Sequence, residues 1–178
     1  MKNIKNMVLS AMFLAIGLIL PFFTGQIKQI GNMLLPMHFP IFLCGLVCGW
    51  QYGLTIGFIL PILRSFLFGM PYMYPNAITM AFELMVYGFL SGFMYSHSKS
   101  KSLKTLYKCI IIPMFSGRIA AAVVKIILIG LGNNGFTLSA FIMGSFVQGI
   151  PGIIIQLVLI PLIVIKLDSV NKKNQDLS

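Results

Sequence analysis

Hydrophobic residues run along this chain in blocks too long and too evenly apolar to be one face of a soluble helix, and turn residues separate the blocks. A helix that crosses a bilayer needs about 20 mostly apolar residues. By that rule the pattern predicts six spans, near residues 7–23, 33–49, 52–68, 77–96, 109–131 and 138–167. The second is the least regular: its apolar heart is the short stretch 39–49, and Pro36 and Pro40 interrupt its start. No Gly/Ser linker, low-complexity tract or internal repeat divides the chain, so residues 1–178 are read as a single domain. The expected fold is all-α, a compact bundle of six transmembrane helices.

Composition agrees with the pattern. The chain is 58% hydrophobic and 9% charged, against about 25% charged residues in ordinary soluble domains. Lipid accepts apolar side chains around a whole helix, which a small water-soluble core cannot do. The basic residues then set the orientation. With the N-terminus inside, the cytoplasmic side holds Lys2, Lys5, Lys99, Lys101, Lys104, Lys108, Lys166, Lys172 and Lys173, and the outer side holds Lys28. This bias follows the positive-inside rule and places both termini in the cytoplasm. The formal net charge of +10 is therefore a mark of topology. The basic stretch 97–108 is expected at anionic lipid headgroups, with no nucleic-acid partner. The first span is read as retained, because no small-x-small cleavage site follows it and it ends in Pro21-Phe22-Phe23.

Several chemistries lack their parts. There is no GxxxxGK[ST] phosphate loop. The acidic residues are Glu83, Asp168 and Asp176, and the last two belong to the cytoplasmic end, so a two-carboxylate mechanism is excluded by count. Ser91 has no histidine at matching depth, since His97 falls in the basic loop and His38 on the opposite side. Histidines and carboxylates do not cluster as metal ligands. Cys44, Cys48 and Cys109 lie in apolar surroundings and are expected to be packing residues. The chain is thus expected not to be an enzyme, and to hold no metal or cofactor of its own.

What stands out is charge inside the spans, where it is costly and usually functional or paired. Arg64 falls in the third span, Glu83 in the fourth, and Arg118 and Lys125 in the fifth. At 1.5 Å per residue, Arg64, Glu83 and Lys125 lie roughly 6 to 10 Å below the outer boundary and Arg118 roughly 20 Å below it. Arg118 and Lys125 are seven residues apart and share a helix face with Ala121 and Ala122. A structural bridge from Arg64 to Glu83, with Lys125 snorkelling outward, would explain three of the four. It leaves Arg118 unexplained. The alternative is an outward-opening pocket with surplus positive charge, suited to an anionic small molecule. Gln148 and Asn76 are placed to add hydrogen bonds to a ligand or to be satisfied by neighbouring backbone. The polar stretch 25–32, which includes Asn32, would cap the pocket. Tyr72 and Tyr74, held between Pro71 and Pro75, are either ligand contacts or interfacial anchors. His38, at the lip of the second span, is a polar cap or a further ligand contact.

These features together resemble the substrate-binding S component of energy-coupling factor (ECF) vitamin transporters. Ala11-Met12-Phe13-Leu14-Ala15 is similar to the family's Ala-x-x-x-Ala motif. Leu34-Leu35-Pro36-Met37-His38-Phe39-Pro40, followed by Cys44-Gly45 and Trp50-Gln51-Tyr52-Gly53, resembles its second span and tight turn. Gly57-Phe58-Ile59-Leu60-Pro61-Ile62-Leu63-Arg64 and Phe82-Glu83-Leu84-Met85-Val86-Tyr87-Gly88 resemble its third and fourth spans. The likeness covers nearly the whole chain and is strongest over residues 7–96.

The resemblance implies a subunit of a bacterial plasma membrane that captures a vitamin on the outer side. It would topple in the bilayer to release that vitamin inwards. The motion would be driven by separate partner chains, one transmembrane coupling subunit and two ATPase subunits, which use the ATP. Ala11 and Ala15 would meet the coupling subunit, with Gly17 extending that surface. Among vitamins, the positive pocket puts pantothenate first, ahead of nicotinate, folate and biotin. Riboflavin, thiamine and a queuosine precursor stay open. The competing reading is a solitary carrier or channel that uses Glu83 and the intramembrane basic residues.

Overall fold

Backbone amides inside lipid have no water to bond, so a spanning segment must satisfy them internally. A computed structural model of the protein describes residues 2–24, 34–100, 102–130, 143–144 and 149–175, and no strand occurs among them. Helix α1 covers Lys2–Thr24, α2 His38–Cys48, α3 Trp50–Phe68, α4 Ile78–His97, α5 Leu103–Gly130 and α6 Ile150–Gln175. A wide π turn, Met73–Ala77, leads into α4. Five of the helices are long and apolar enough to cross a membrane. The chain is an all-α, multi-pass membrane protein.

The exception is α2. Its 11 residues rise only about 16 Å, roughly half of a 30 Å hydrocarbon core. Pro40 does not break it, because it falls in the first turn, where its missing N–H would have no helical partner. The approach to α2 is non-helical and includes Leu35 at φ 48°. Irregular backbone at such depth is tolerated only inside protein, and α2 is accordingly the most enclosed helix, with Ile41, Phe42 and Cys44 fully buried.

Tight joints fix the arrangement around it. Gly49, at φ +106°, turns the chain directly from α2 into α3, a conformation that L side chains rarely adopt. Helix α4 sits at the centre and packs on α2, α3 and α5. Its Gly88 lies against Gly53 of α3 so closely that a Cβ on Gly88 would be 2.2 Å from the Gly53 carbonyl oxygen. Without a hydrophobic force between helices in lipid, close backbone approach of this kind supplies the packing energy. By contrast α1 is peripheral, with Met7, Val8, Met12 and Ile19 exposed. Helices alternate in direction, so one end of the bundle carries Asn6, whose Nδ2 donates to the Cys48 carbonyl. The other end carries the α1 C-terminus, the start of α2 and the π turn.

Candidate functional site

At this second end polar side chains from three helices meet, and a fourth helix joins them through the backbone before α2. On α4, Glu83 and Tyr87 are one turn apart and so share a face, and the Tyr87 hydroxyl donates to Glu83 Oε1 at 2.7 Å. From the start of α2, His38 reaches the same carboxylate, with Nε2 3.7 Å from Oε1. Arg118 of α5 is 3% exposed and acts electrostatically on both Glu83 and Tyr87. Gly117 makes that approach possible, since its bare Cα lets the Tyr87 ring lie against α5. The ring is further held by stacking on Phe42 at 5.1 Å and by contact with His38 at 5.4 Å.

Helix α6 contributes the fourth wall. Gln156, 1% exposed, donates from Nε2 to the Leu35 carbonyl at 3.4 Å. That carbonyl also accepts from the His38 backbone N–H at 3.1 Å. Gln156 thus satisfies part of the non-helical approach to α2 that lipid could not. Three buried atoms of this cluster, His38 Nδ1, Arg118 Nη1 and Gln156 Oε1, have no hydrogen-bond partner among the described residues, although Arg118 makes other interactions.

The cluster differs from the one read in the sequence. Arg64 does not bridge to Glu83. It is buried, donates to the Leu18 carbonyl of α1, and lies 4.9 Å from the Phe22 ring centre and 5.6 Å from that of Phe68. The reason is rotational: its position on α3 faces α1, and the aromatic pair there offers a desolvated cation its best partner. Lys125 is half-buried on α5, two turns beyond Arg118. Tyr72, Tyr74 and Asn76 are exposed at the π turn, and the Tyr74 hydroxyl donates to the Leu128 carbonyl. Gln148 and Asn32 lie outside the described residues. His38, placed at the lip by its sequence position, is instead at the centre.

Tyr87 and Gln156 were missed by the sequence reading. Tyr87 had a signal, its i+4 spacing from Glu83. Gln156 had a fainter one, a lone amide within the apolar run Ile153–Val164. On α1, Ala11 and Ala15 are exposed. Gly17 does not extend that surface: it is buried against Leu60, whose Cδ2 would be 2.5 Å from a Cβ there. At the end bearing Asn6, a hollow of about 570 Å³ between α5 and α6 is lined by apolar side chains and Lys166, and none of the cluster reaches it. The described residues contain no group of His, Cys, Asp and Glu suited to a metal ion.

A multi-pass bundle with a buried, mixed-charge polar centre toward one end is an architecture that membrane receptors and transport subunits share with other membrane proteins. The particular family is shown by its model: the ECF transporter, substrate-specific component, matches residues 5–164, and the chain belongs to that family. Neither the curated proteins nor the solved structures give a match. The protein is therefore a substrate-binding membrane subunit of an ECF transporter, and its family implies association with an ECF module.

Proposed function

We propose that the chain captures a vitamin or related small molecule at the cluster of His38, Glu83, Tyr87, Arg118 and Gln156. This face would be the outer one, in a bacterial plasma membrane, with release to the cytoplasm driven by a coupling subunit and two ATPase subunits. The observation that carries the reading is the convergence of four polar side chains from three helices on one buried locus, with Gln156 of a fourth helix joined to it through the Leu35 carbonyl. A structural bridge needs two such groups, and isolated polar residues in lipid are too costly to collect without use. The lysine bias supports the orientation, because it puts the cluster on the side away from the cytoplasm. The exposed Ala11 and Ala15 support docking on α1, where small residues allow a partner helix to approach.

Charge alone put pantothenate first. With Arg64 committed to α1, one carboxylate and one guanidinium remain at the centre, and pantothenate enters as one probe among several. The test is uptake of radiolabelled vitamins into proteoliposomes holding the chain alone or with its coupling and ATPase subunits. Uptake is expected only with the full module and ATP. Substrate binding by the chain alone should fall at least tenfold in Arg118→Met and in Glu83→Gln, on the scale of a lost charged hydrogen bond. Accumulation by the chain alone would establish the solitary carrier instead.

A further inference from the structure

The cluster described above accounts for most of its own hydrogen bonds, and the remainder has a chemical sense. Gln156 cannot be turned end for end. Its neighbour, the Leu35 carbonyl, already accepts from the His38 N–H and is itself an acceptor, so the amide nitrogen must face it. This leaves Oε1, buried and without a partner among the described residues, as an acceptor awaiting a donor. An unmet acceptor in a low-dielectric site is expensive to keep, and a ligand bringing N–H or O–H groups relieves that cost.

The charges point the same way. Glu83 and Arg118 interact with each other, and both with Tyr87, so the centre carries one of each sign. An anion placed there would meet the Glu83 carboxylate and the Gln156 oxygen beside a single guanidinium that also serves Glu83 and Tyr87. Arg64 is turned to α1, and Lys125, seven residues beyond Arg118, has an interaction of its own.

We propose that this site takes an uncharged ligand through hydrogen-bond donors, such as a carboxamide, lactam, imide or hydroxyl group, and that Gln156 is the residue that selects it. The inference rests on the substrate-capture reading and names the class of substrate.

It is tested on the full chain in detergent micelles by thermal shift and titration with two sets of probes. The uncharged set is nicotinamide, pantothenol, pyridoxine and riboflavin; the anionic set is nicotinate, pantothenate, biotin and folate. An uncharged probe is expected to bind most tightly, and the amide or alcohol of each matched pair to exceed its acid by about tenfold, the scale of one well-placed hydrogen bond. Gln156→Leu should then weaken the best uncharged probe by about tenfold or more. Gln156→Met, close to glutamine in length, gives the same readout if the leucine variant does not fold. Tightest binding by an anionic probe, or equal affinity in the Gln156 variants, would overturn the donor-recognition inference and leave substrate capture standing. Silence from both sets would overturn the vitamin reading along with it.

Discussion

Gly117→Ala puts the assembly of the site to a direct test. A Cβ at this position would lie 2.1 Å from Tyr87 Cε1, 2.3 Å from Cδ1 and 2.9 Å from the Glu83 carbonyl oxygen. Carbon atoms pack at about 3.5–4.0 Å, so the ring must retreat by roughly 1.5 Å or the helices must part. Tyr87 is fully enclosed, with Phe42 stacked on it and His38 at its edge, which leaves the ring little room. A shift of that size also breaks the 2.7 Å bond from its hydroxyl to Glu83. Overpacking costs about 1–3 kcal/mol and a charged hydrogen bond about 1.5–3 kcal/mol, so with partial relaxation the variant should lose about 3 kcal/mol. Reversible unfolding in mixed micelles measures it. Gly130→Ala is the control, since the atom nearest a Cβ there is Ile126 Cγ2 at 3.7 Å, and it should change stability by less than about 0.5 kcal/mol. In a Tyr87→Leu background the cost of Gly117→Ala should drop to about 1 kcal/mol, the residue of the Glu83 backbone contact. An equal cost in both backgrounds would refute the claim that Gly117 exists to seat Tyr87.

Other consequences can be checked separately. Gly88→Ala drives a Cβ to 2.2 Å from the Gly53 carbonyl oxygen and 2.4 Å from its carbon; backbone cannot swing aside, so unfolding should show a loss of at least about 3 kcal/mol. Arg64→Ala removes the tie to Leu18 and the contact with Phe22 and Phe68. Hydrogen exchange at residues 18–23 should then quicken by about tenfold or more, and Arg64→Lys should restore only part of the protection, because an ammonium lacks the planar fork. Unchanged exchange would mean that Arg64 does not hold α1. Leucine at Ala11 and Ala15 should leave the melting of the chain within about 0.5 kcal/mol of the parent, as both are exposed. Co-purification with the coupling subunit should fall about tenfold, since bulk is added where a partner helix must approach closely. Undiminished co-purification would move the docking surface elsewhere.

The membrane character of this protein was legible in its sequence because solvation by lipid is a local property: a run of apolar residues needs no knowledge of its neighbours to be read. The same holds for the cost of an intramembrane charge, which is why Glu83 and Arg118 stood out before any contact was known. Glycine-rich joints such as Gly45, Gly53 and Gly88 were visible as residues, but not as partners. What the tertiary structure decided was pairing, and pairing depends on how each helix is rotated and where it meets the next. Arg64 and Glu83 have similar depths in the sequence, yet one faces α1 and the other faces α2 and α5. His38 sits at the edge of its span by counting, and at the centre of the cluster once the short α2 is drawn into the bundle. Gln156 became significant only when its amide met the Leu35 carbonyl in the irregular backbone before α2. Hydropathy chose the solvent of each helix; the geometry between helices chose which polar atoms were left to meet a ligand.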